Sequence, residues 1–330
     1  MKLAKYLLLT IIAALSLTNL QAQEDDPILL YSPASQNLLK FMAEGTVTTL
    51  STEVLRKSKG LKVSNGDRLW VNYQGTLLNG EQFDANFNFS SFEAVEGRDA
   101  FSFTLGAGQV IEGWDKGLTG QRIGAVVDLT IPAEMAYGES GAGDLIPPNS
   151  PLKFTVEVLA ALPFGNNDPV FTDYKDLGIK TKKIGLSDEL IASTTDVKIG
   201  LDGADVLVGG SANDLLIGLK GKDQLSGGRG ADVLIAGKSK DTFLYEHVKD
   251  SRAGEGKSDH LLAFGRKDKI DLTEVANELR FIGSDPFSGT AGDVRFDNET
   301  LELDKNGDGK ADLALLMPGT QSIKSANLIL

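Results

Sequence analysis

The feature that most constrains this chain is a period of nine running through its glycine-rich middle. From Gly200 the sequence divides into GLDGADVLV, GGSANDLLI, GLKGKDQLS, GGRGADVLI and AGKSKDTFL, ending at Leu244. Asp205, Asp214, Asp223, Asp232 and Asp241 hold the sixth place of the units, and Leu207, Leu216, Leu225, Leu234 and Phe243 hold the eighth. Ten glycines fall in the 38 residues from Gly200 to Gly237, a density that ordinary helix and sheet interiors do not carry because glycine loses the most backbone entropy on ordering. A unit with one apolar side chain in nine cannot bury it alone, so the units have to stack. A flexible linker has no reason to keep aspartate and an apolar residue in phase over five units. The aspartate register continues outward to Asp196 on one side and to Asp250, Asp259 and Asp268 on the other, while Lys198 and Arg252 break the apolar place as capping turns would.

Glycines in the first half of each unit permit tight turns that aim backbone carbonyls inward, and the aspartate adds a hard anionic oxygen at the same corner, which is calcium chemistry. Rows of carboxylates repel one another without a cation. Composition closes the other routes. A net charge of −13 argues against a nucleic-acid partner. The absence of cysteine removes disulfides, thiolate metal sites and cysteine nucleophiles, and with only His247 and His260 no HExxH zinc site can be written.

The block resembles the RTX calcium-binding nonapeptide repeat. That resemblance implies an all-β parallel β-roll in which successive units alternate between two faces. Calcium, as several structural ions, would then lie between aspartates two units apart: Asp196 with Asp214, Asp205 with Asp223, Asp214 with Asp232, and Asp223 with Asp241. Asp250 and Asp259 are expected to extend the rows, and Gly203, Gly221 and Gly230 to line the corners. Downstream, Leu261 to Asp271 and the stretch from Asp304 to Leu330 are similar to the C-terminal part of RTX metalloproteases, whose catalytic domain is absent here. Asp304, Asn306, Asp308 and Asp312 imitate a calcium loop. However, the twelfth position from Asp304 is Leu315, where a bidentate glutamate is needed, so a polar hairpin turn is the expectation.

The stretch from Asp67 to Leu162 reads differently. Strand-like runs at Leu69 to Tyr73, Phe101 to Leu105, Ala125 to Ile131 and Leu152 to Leu159 alternate with glycine or proline turns, with one short helical candidate after Trp114. Eleven of the 23 aromatic residues lie in this stretch, too many and too dispersed for one helix face, which favours an aromatic-lined site as well as a core. The ordered pieces Val71-Asn72-Tyr73-Gln74-Gly75, Gly80-Glu81-Gln82-Phe83-Asp84, Phe101 to Gly106, Val110-Ile111-Glu112-Gly113-Trp114, Ala136-Tyr137-Gly138 and Ile146-Pro147-Pro148, ending in Phe154, resemble FKBP-type peptidyl-prolyl isomerases.

The resemblance implies an α+β fold, an antiparallel sheet wrapped on a short helix, that turns X-Pro bonds without a cofactor. Trp114 would form the floor of the pocket, and Tyr73, Phe83, Val110, Ile146 and Phe154 its walls. Phe101 would pack on the proline ring, the Ile111 amide and Tyr137 hydroxyl would hold substrate carbonyls, and Asp84 would face the twisting amide. Between Asp84 and Phe101 the chain is longer than in minimal family members and carries Phe87, Phe89 and Phe92, a lip expected to bear on substrate choice. Ala142 stands where some members have histidine.

At the N-terminus, Lys2 and Lys5, an apolar run from Tyr6 to Leu17 and a small-residue end at Ala22 have the three parts of a secretory signal peptide. A short helix is expected around Leu38 to Met42. The expected order is therefore a signal peptide at 1–22, an N-terminal extension and first strand region at 23–66, the isomerase domain at 67–162, a linker at 163–185, the β-roll at 186–271 and a C-terminal β region at 272–330. The linker is long enough to decouple the halves, which are expected to fold separately. The sequence thus reads as a multidomain, exported folding isomerase, periplasmic or extracellular, that acts on proline-containing polypeptides and carries a calcium module. It has no nucleic-acid partner and no membrane span after signal cleavage. The rival from another class is a non-catalytic secreted protein that grips apolar peptides or serves adhesion.

Overall fold

The structure is a computed structural model that describes residues 47–330. The expected signal peptide, the helix around Leu38 to Met42 and the start of the extension lie outside the described residues.

The first half is an antiparallel sheet. Strands β1 (Ser51–Arg56), β2 (Arg68–Leu77), β3 (Gln82–Ala85), β4 (Phe87–Asn88), β5 (Glu93–Ala94) and β6 (Phe101–Thr104) precede a helix, α1 (Glu112–Leu118). Strands β7 (Val126–Ile131), β8 (Leu152–Leu162) and β9 (Val170–Phe171) follow it. The sheet runs β1-β7-β8-β2-β3, with β6 on β2 and β9 on β8. Alternation sets its buried face: Leu69, Val71 and Tyr73 of β2 and Leu152, Phe154, Val156 and Val158 of β8 all point into one core.

Helix α1 begins at Glu112, three residues upstream of where the helix was expected, so Trp114 lies in its first turn. Gly113 and Gly117, which weaken the helix by propensity, bring it against β7. A Cβ on Gly117 would sit 2.8 Å from Leu129, and one on Gly113 would collide with Ile131.

One edge of β2 is shared. Its first half pairs with β6 and its second half with β3, and the chain leaves the sheet between them. Asn86 fills the break like an extra strand residue. Its side-chain oxygen accepts from Tyr73 N (2.6 Å), its Nδ2 donates to Val71 O (3.0 Å), and its own backbone N–H donates to Tyr73 O (3.1 Å).

The second half is a parallel β-roll. Strands β10 (Asp196–Ile199), β12 (Asp214–Ile217), β14 (Val233–Ile235) and β16 (Asp259–Leu261) form one wall, and β11 (Val206–Gly210), β13 (Gln224–Gly228), β15 (Thr242–Leu244) and β17 (Lys269–Asp271) the other. Register steps by two units, with Asp196 opposite Asp214, Leu207 opposite Leu225 and Leu216 opposite Leu234. Leu207, Leu216, Leu225, Leu234 and Phe243 are all 0% exposed, as the eighth place requires. The C-terminal strands β18 (Arg280–Phe281), β19 (Asp293–Asp297), β20 (Thr300–Asp304) and β21 (Leu313–Leu316) extend the first wall, and β22 (Leu328–Ile329) closes the second.

Three expectations change. First, the nine-residue phase holds but pairing lengthens from two units to three: Leu234 faces Leu261 and Phe243 faces Ile270, 27 residues apart. The unit from Tyr245 to Ala253 has Arg252 in its eighth place and nothing to bury there, and the chain makes an extra turn before β16. Second, the stretch expected as a linker does not act as a spacer. Its β9 pairs with β8, Asp176 O accepts from Lys59 N (2.8 Å), and Tyr174, Ile179 and Ile184 pack beside Leu186 over Leu215, Ile217, Val233 and Ile235. Those four fill the seventh and ninth places on one wall only, so that wall is apolar on both faces. Third, the segment between Ala85 and Ala100 does not border the pocket; it reaches the roll, where Phe92 joins the roll's core.

Candidate functional site

A cavity of about 460 Å³ opens on the antiparallel sheet of the first half, and all ten expected residues line it. Trp114, 4% exposed, is the floor, and its indole Nε1 has no hydrogen-bond partner among the described residues. The rings meet it edge to face: Tyr73 at 5.4 Å and 76°, Phe154 at 5.2 Å and 87°, and Phe101 at 6.1 Å and 76°. This is the arrangement that ring quadrupoles prefer. Phe83 stands against Phe154 at 5.4 Å. Val110 and Ile146 complete the apolar wall, while Phe101 and Tyr137 remain 40% and 42% exposed at the mouth, where an incoming chain would touch them.

Asp84 is held at the edge of this bowl. Asp84 Oδ2 accepts a hydrogen bond from the Tyr73 hydroxyl at 2.6 Å, and Asp84 Oδ1 pairs with the Arg98 guanidinium and accepts from Ala85 N at 3.0 Å. Burial, and then the hydrogen bond to Asp84, push the Tyr73 phenol up to about 12, so it stays a donor and fixes the carboxylate. Among the described residues the Ile111 N–H donates to no protein acceptor, and Ile111 lines the cavity. Gln109, Ala142, Gly143, Asp144 and Leu145 also line the cavity. Apart from Ala142 they escaped the sequence reading, because a loop wall carries neither periodicity nor an aromatic signal.

The roll's corners present a different chemistry. Among the described residues no three His, Cys, Asp or Glu side chains converge on a metal-sized point, so any ion there must take backbone oxygen as well. The corners supply it. At Gly221 (φ 136°) and Gly230 (φ 147°) the turn of one unit presses on the carbonyl of the unit two before it, and a Cβ would collide with Gly203 O and Ala212 O respectively. Asp223, Asp232 and Asp241 are 1%, 0% and 1% exposed. Each Oδ1 accepts the backbone N–H of the aspartate two units upstream at 2.8–3.0 Å, and each Oδ2 is buried with no donor at all. Burial first, then neighbouring carboxylates, push Asp223 and Asp232 up to about 7. Bare anionic oxygens beside carbonyls are a donor set that fits a hard cation such as calcium.

The other expected ligands differ in what they leave open. Asp205 and Asp214 lie in the same rows, but each gives one oxygen to its own turn, to Leu201 N and Gly210 N at 2.7 Å. Asp196 is exposed at the open edge of β10. Asp250 binds its own turn through Glu246 N and His247 N. Asp259, 0% exposed, has both oxygens engaged, by Asp232 N at 2.9 Å and the Tyr245 hydroxyl at 3.0 Å. Asp268 takes the place opposite Asp241, accepting its N–H at 3.3 Å. The Asp304 loop is the expected hairpin turn, with its carboxylate satisfied by Gly307 N and Gly309 N.

Comparison with known proteins agrees with both halves. The FKBP-type peptidyl-prolyl cis-trans isomerase family matches residues 59–159. FK506-binding protein 2 of Dictyostelium discoideum is 44% identical over 99 residues, which cover 30% of this chain and 68% of that protein. The FK506-binding protein of Neisseria meningitidis serogroup A is 41% identical over 111 residues, 34% of this chain and 94% of that protein. The chain belongs to the FKBP-type peptidyl-prolyl cis-trans isomerases. This isomerase also carries RTX calcium-binding nonapeptide repeats, matched in four copies over residues 199–242. Among solved structures, FkpA from Escherichia coli aligns at 34% identity over 39% of this chain and 57% of that chain, with a TM-score of 0.31. Among the described residues of the isomerase, no helix is long and apolar enough to cross a membrane.

Proposed function

We propose that this isomerase turns X-Pro bonds in other exported proteins, with its calcium-binding roll as a structural module. The observation that carries the reading is the convergence of ten side chains in one aromatic bowl with a fixed carboxylate at its edge. Rotation about an amide is opposed by ~18–20 kcal/mol because the C–N bond is partly double. Stripping water from the substrate carbonyl removes hydrogen bonds that favour the planar form, and no nucleophile or cofactor is needed. In this reading the proline ring sits over Trp114 and against Phe101, and the Ile111 N–H and Tyr137 hydroxyl hold flanking carbonyls. Asp84, held by Tyr73 and Arg98, presents a fixed negative charge to the carbonyl carbon as the amide twists.

Calcium in the roll would be held by Asp205, Asp214, Asp223, Asp232 and Asp241 with corner carbonyls such as Gly203 O, and would supply the positive charge those rows lack. In this reading the isomerase occupies 67–162 and the roll 186–271, and the link of RTX repeats to secreted proteins, with the leader-like start, supports export. The test measures cis/trans exchange of a series of X-Pro peptides, which otherwise takes tens of seconds. Acceleration across several X residues is expected, and no rate above background in any of them would refute the enzyme reading. Mass measurement of the mature N-terminus, expected near Gln23, tests export.

A further inference from the structure

The roll has an end to close. A stacked solenoid leaves its first core layer open unless a cap with a polar outer face covers it. In this chain the first inward place on β10 is Lys198 rather than an apolar residue, and it is 5% exposed. Its ammonium donates to Val208 O at 2.8 Å and to Glu93 Oε1 at 3.1 Å. Glu93 belongs to the isomerase's own β4-β5 hairpin. Next to it Phe92, 6% exposed, is part of the buried cluster that holds Leu207 and Leu216, with Phe87 packed against that cluster. Phe92 adopts φ 56°, a left-handed conformation that a bulky side chain takes only where packing compensates the strain.

The other end of this hairpin is tied to the pocket. Val95 N donates to Asn86 O at 2.9 Å, and Asn86 bridges the break in β2 at Val71 and Tyr73. Arg98 closes the segment by donating to Ala85 O at 3.2 Å while it pairs with Asp84. A second tie meets the roll just before its first calcium corner. Arg56, 2% exposed, donates to Ile199 O at 3.1 Å and pairs with Glu157, and Leu55 O accepts from Asp202 N at 2.8 Å. Gly203 and Asp205 follow at once.

We propose that the segment from Asn86 to Arg98 is the N-terminal cap of the roll, and that through it calcium binding orders the isomerase pocket around Asp84 and Tyr73. Ordering the corner at Gly203, Asp205 and Asp223 holds the first turn on which Phe92 and Glu93 rest. When that turn loosens, Phe92 loses its core and the hairpin no longer fixes Asn86 and Arg98. Calcium then acts on the pocket's preorganisation. The inference rests on the isomerase reading of the pocket and the calcium reading of the roll, and goes beyond both.

The test uses the full chain, chelated and then titrated with calcium. Circular dichroism follows the roll, hydrogen exchange follows residues 86–98, and X-Pro peptide kinetics follow the pocket. Calcium is expected to protect 86–98 at the concentration that folds the roll and to lower KM for the peptide about fivefold. Phe92→Ser keeps calcium-induced folding but leaves 86–98 unprotected and KM at its chelated value, while Phe92→Leu restores both. Lys198→Met, which returns an apolar residue to the eighth place, keeps the roll folded and weakens the response. Calcium-induced folding with unchanged exchange at 86–98 and unchanged KM would overturn the inference and leave both parent readings standing. If calcium does not fold the roll, the calcium reading and this inference fall together. If no isomerisation is seen under any condition, the isomerase reading fails and the exchange result alone decides the cap.

Discussion

Gly221→Ala separates a calcium corner from ordinary backbone strain. Gly221 has φ 136°, and a Cβ there would collide with Gly203 O and lie 2.6 Å from Asp223 Oδ1. Gly254 has nearly the same backbone, φ 130°, but its nearest neighbour would be Lys257 Cδ at 3.8 Å. Alanine therefore strains the chain at both positions, at a cost of about 1–3 kcal/mol each. Only at Gly221 must a carbonyl and a carboxylate oxygen move out of the corner. A site that binds calcium only when folded adds about 2.7 kcal/mol of stability at one hundred times its Kd. In chelator both variants should melt below wild type, Gly221→Ala the lower of the two because its Cβ also meets Gly203 O. With saturating calcium, Gly254→Ala should recover the full wild-type increment, whereas Gly221→Ala should fall short by about that one-site amount. Calorimetric counting of bound calcium should likewise drop by one for Gly221→Ala alone. Equal calcium increments in the two variants would refute the assignment of Gly203 O and Asp223 to a metal corner.

Other outcomes follow from the same geometry. Asp84→Asn should lower kcat/KM for X-Pro peptides about tenfold with little change in melting temperature, because the half-exposed pair with Arg98 is worth only about 0–1 kcal/mol. Trp114→Ala should abolish activity and also cost about 3–5 kcal/mol, since it empties the floor of a packed cluster; denaturant melts separate the two effects. Asp223 and Asp232 hold protons up to about 7 in the metal-free fold but only to their ordinary 3.8 when unfolded. The folded roll therefore binds more protons between those values, and its stability in chelator should fall as pH rises through that window. A metal-free roll melting several degrees lower at pH 8 than at pH 5, with the order lost on adding calcium, is the expected result. Tyr245→Phe should leave the buried Asp259 oxygen unpaired, at about 1–3 kcal/mol in chelator, and should enlarge the calcium increment; an unchanged increment would show that the phenol does not stand in for an ion.

The pocket was legible because its residues are rare types in a fixed order. Tyr73, Phe83, Asp84, Phe101, Trp114 and Tyr137 sit on five different elements or loops, yet each could be marked in the sequence because each falls in one of the ordered pieces that resemble the FKBP family. The roll's inward stack was equally plain, because an apolar side chain holds the eighth place in all five units from Gly200 to Leu244. What escaped was information spread between segments. Leu215, Ile217, Val233 and Ile235 make the outer face of one wall apolar, whereas Val206, Val208, Gln224 and Ser226 leave the other facing water. The run of apolar residues at Leu215, Ile217, Val233 and Ile235 was the available signal that the stretch around Tyr174, Ile179 and Ile184 would be a cover rather than a spacer, though Val206 and Val208 show the same pattern and stay exposed. The unit around Asp250 that the pairing skips was marked too, by Arg252 in its eighth place.

Two irregularities that looked unrelated in the sequence are one structural device. A long insertion with three phenylalanines interrupts the isomerase, and a lysine interrupts the apolar row of the roll; alone, each is a defect. Phe92 exposed on a hairpin would have no reason to hold a left-handed backbone, and Lys198 buried without a partner would carry the desolvation cost of a charge. Together Phe92 fills the open layer beside Leu207, while Glu93 and Val208 O satisfy the lysine that faces it. Residues about a hundred positions apart have therefore been fitted to each other, which separable halves would not require. The short path from Phe92 to Asp84, through Asn86 and Arg98, is then what allows the state of a calcium site to reach the aromatic pocket.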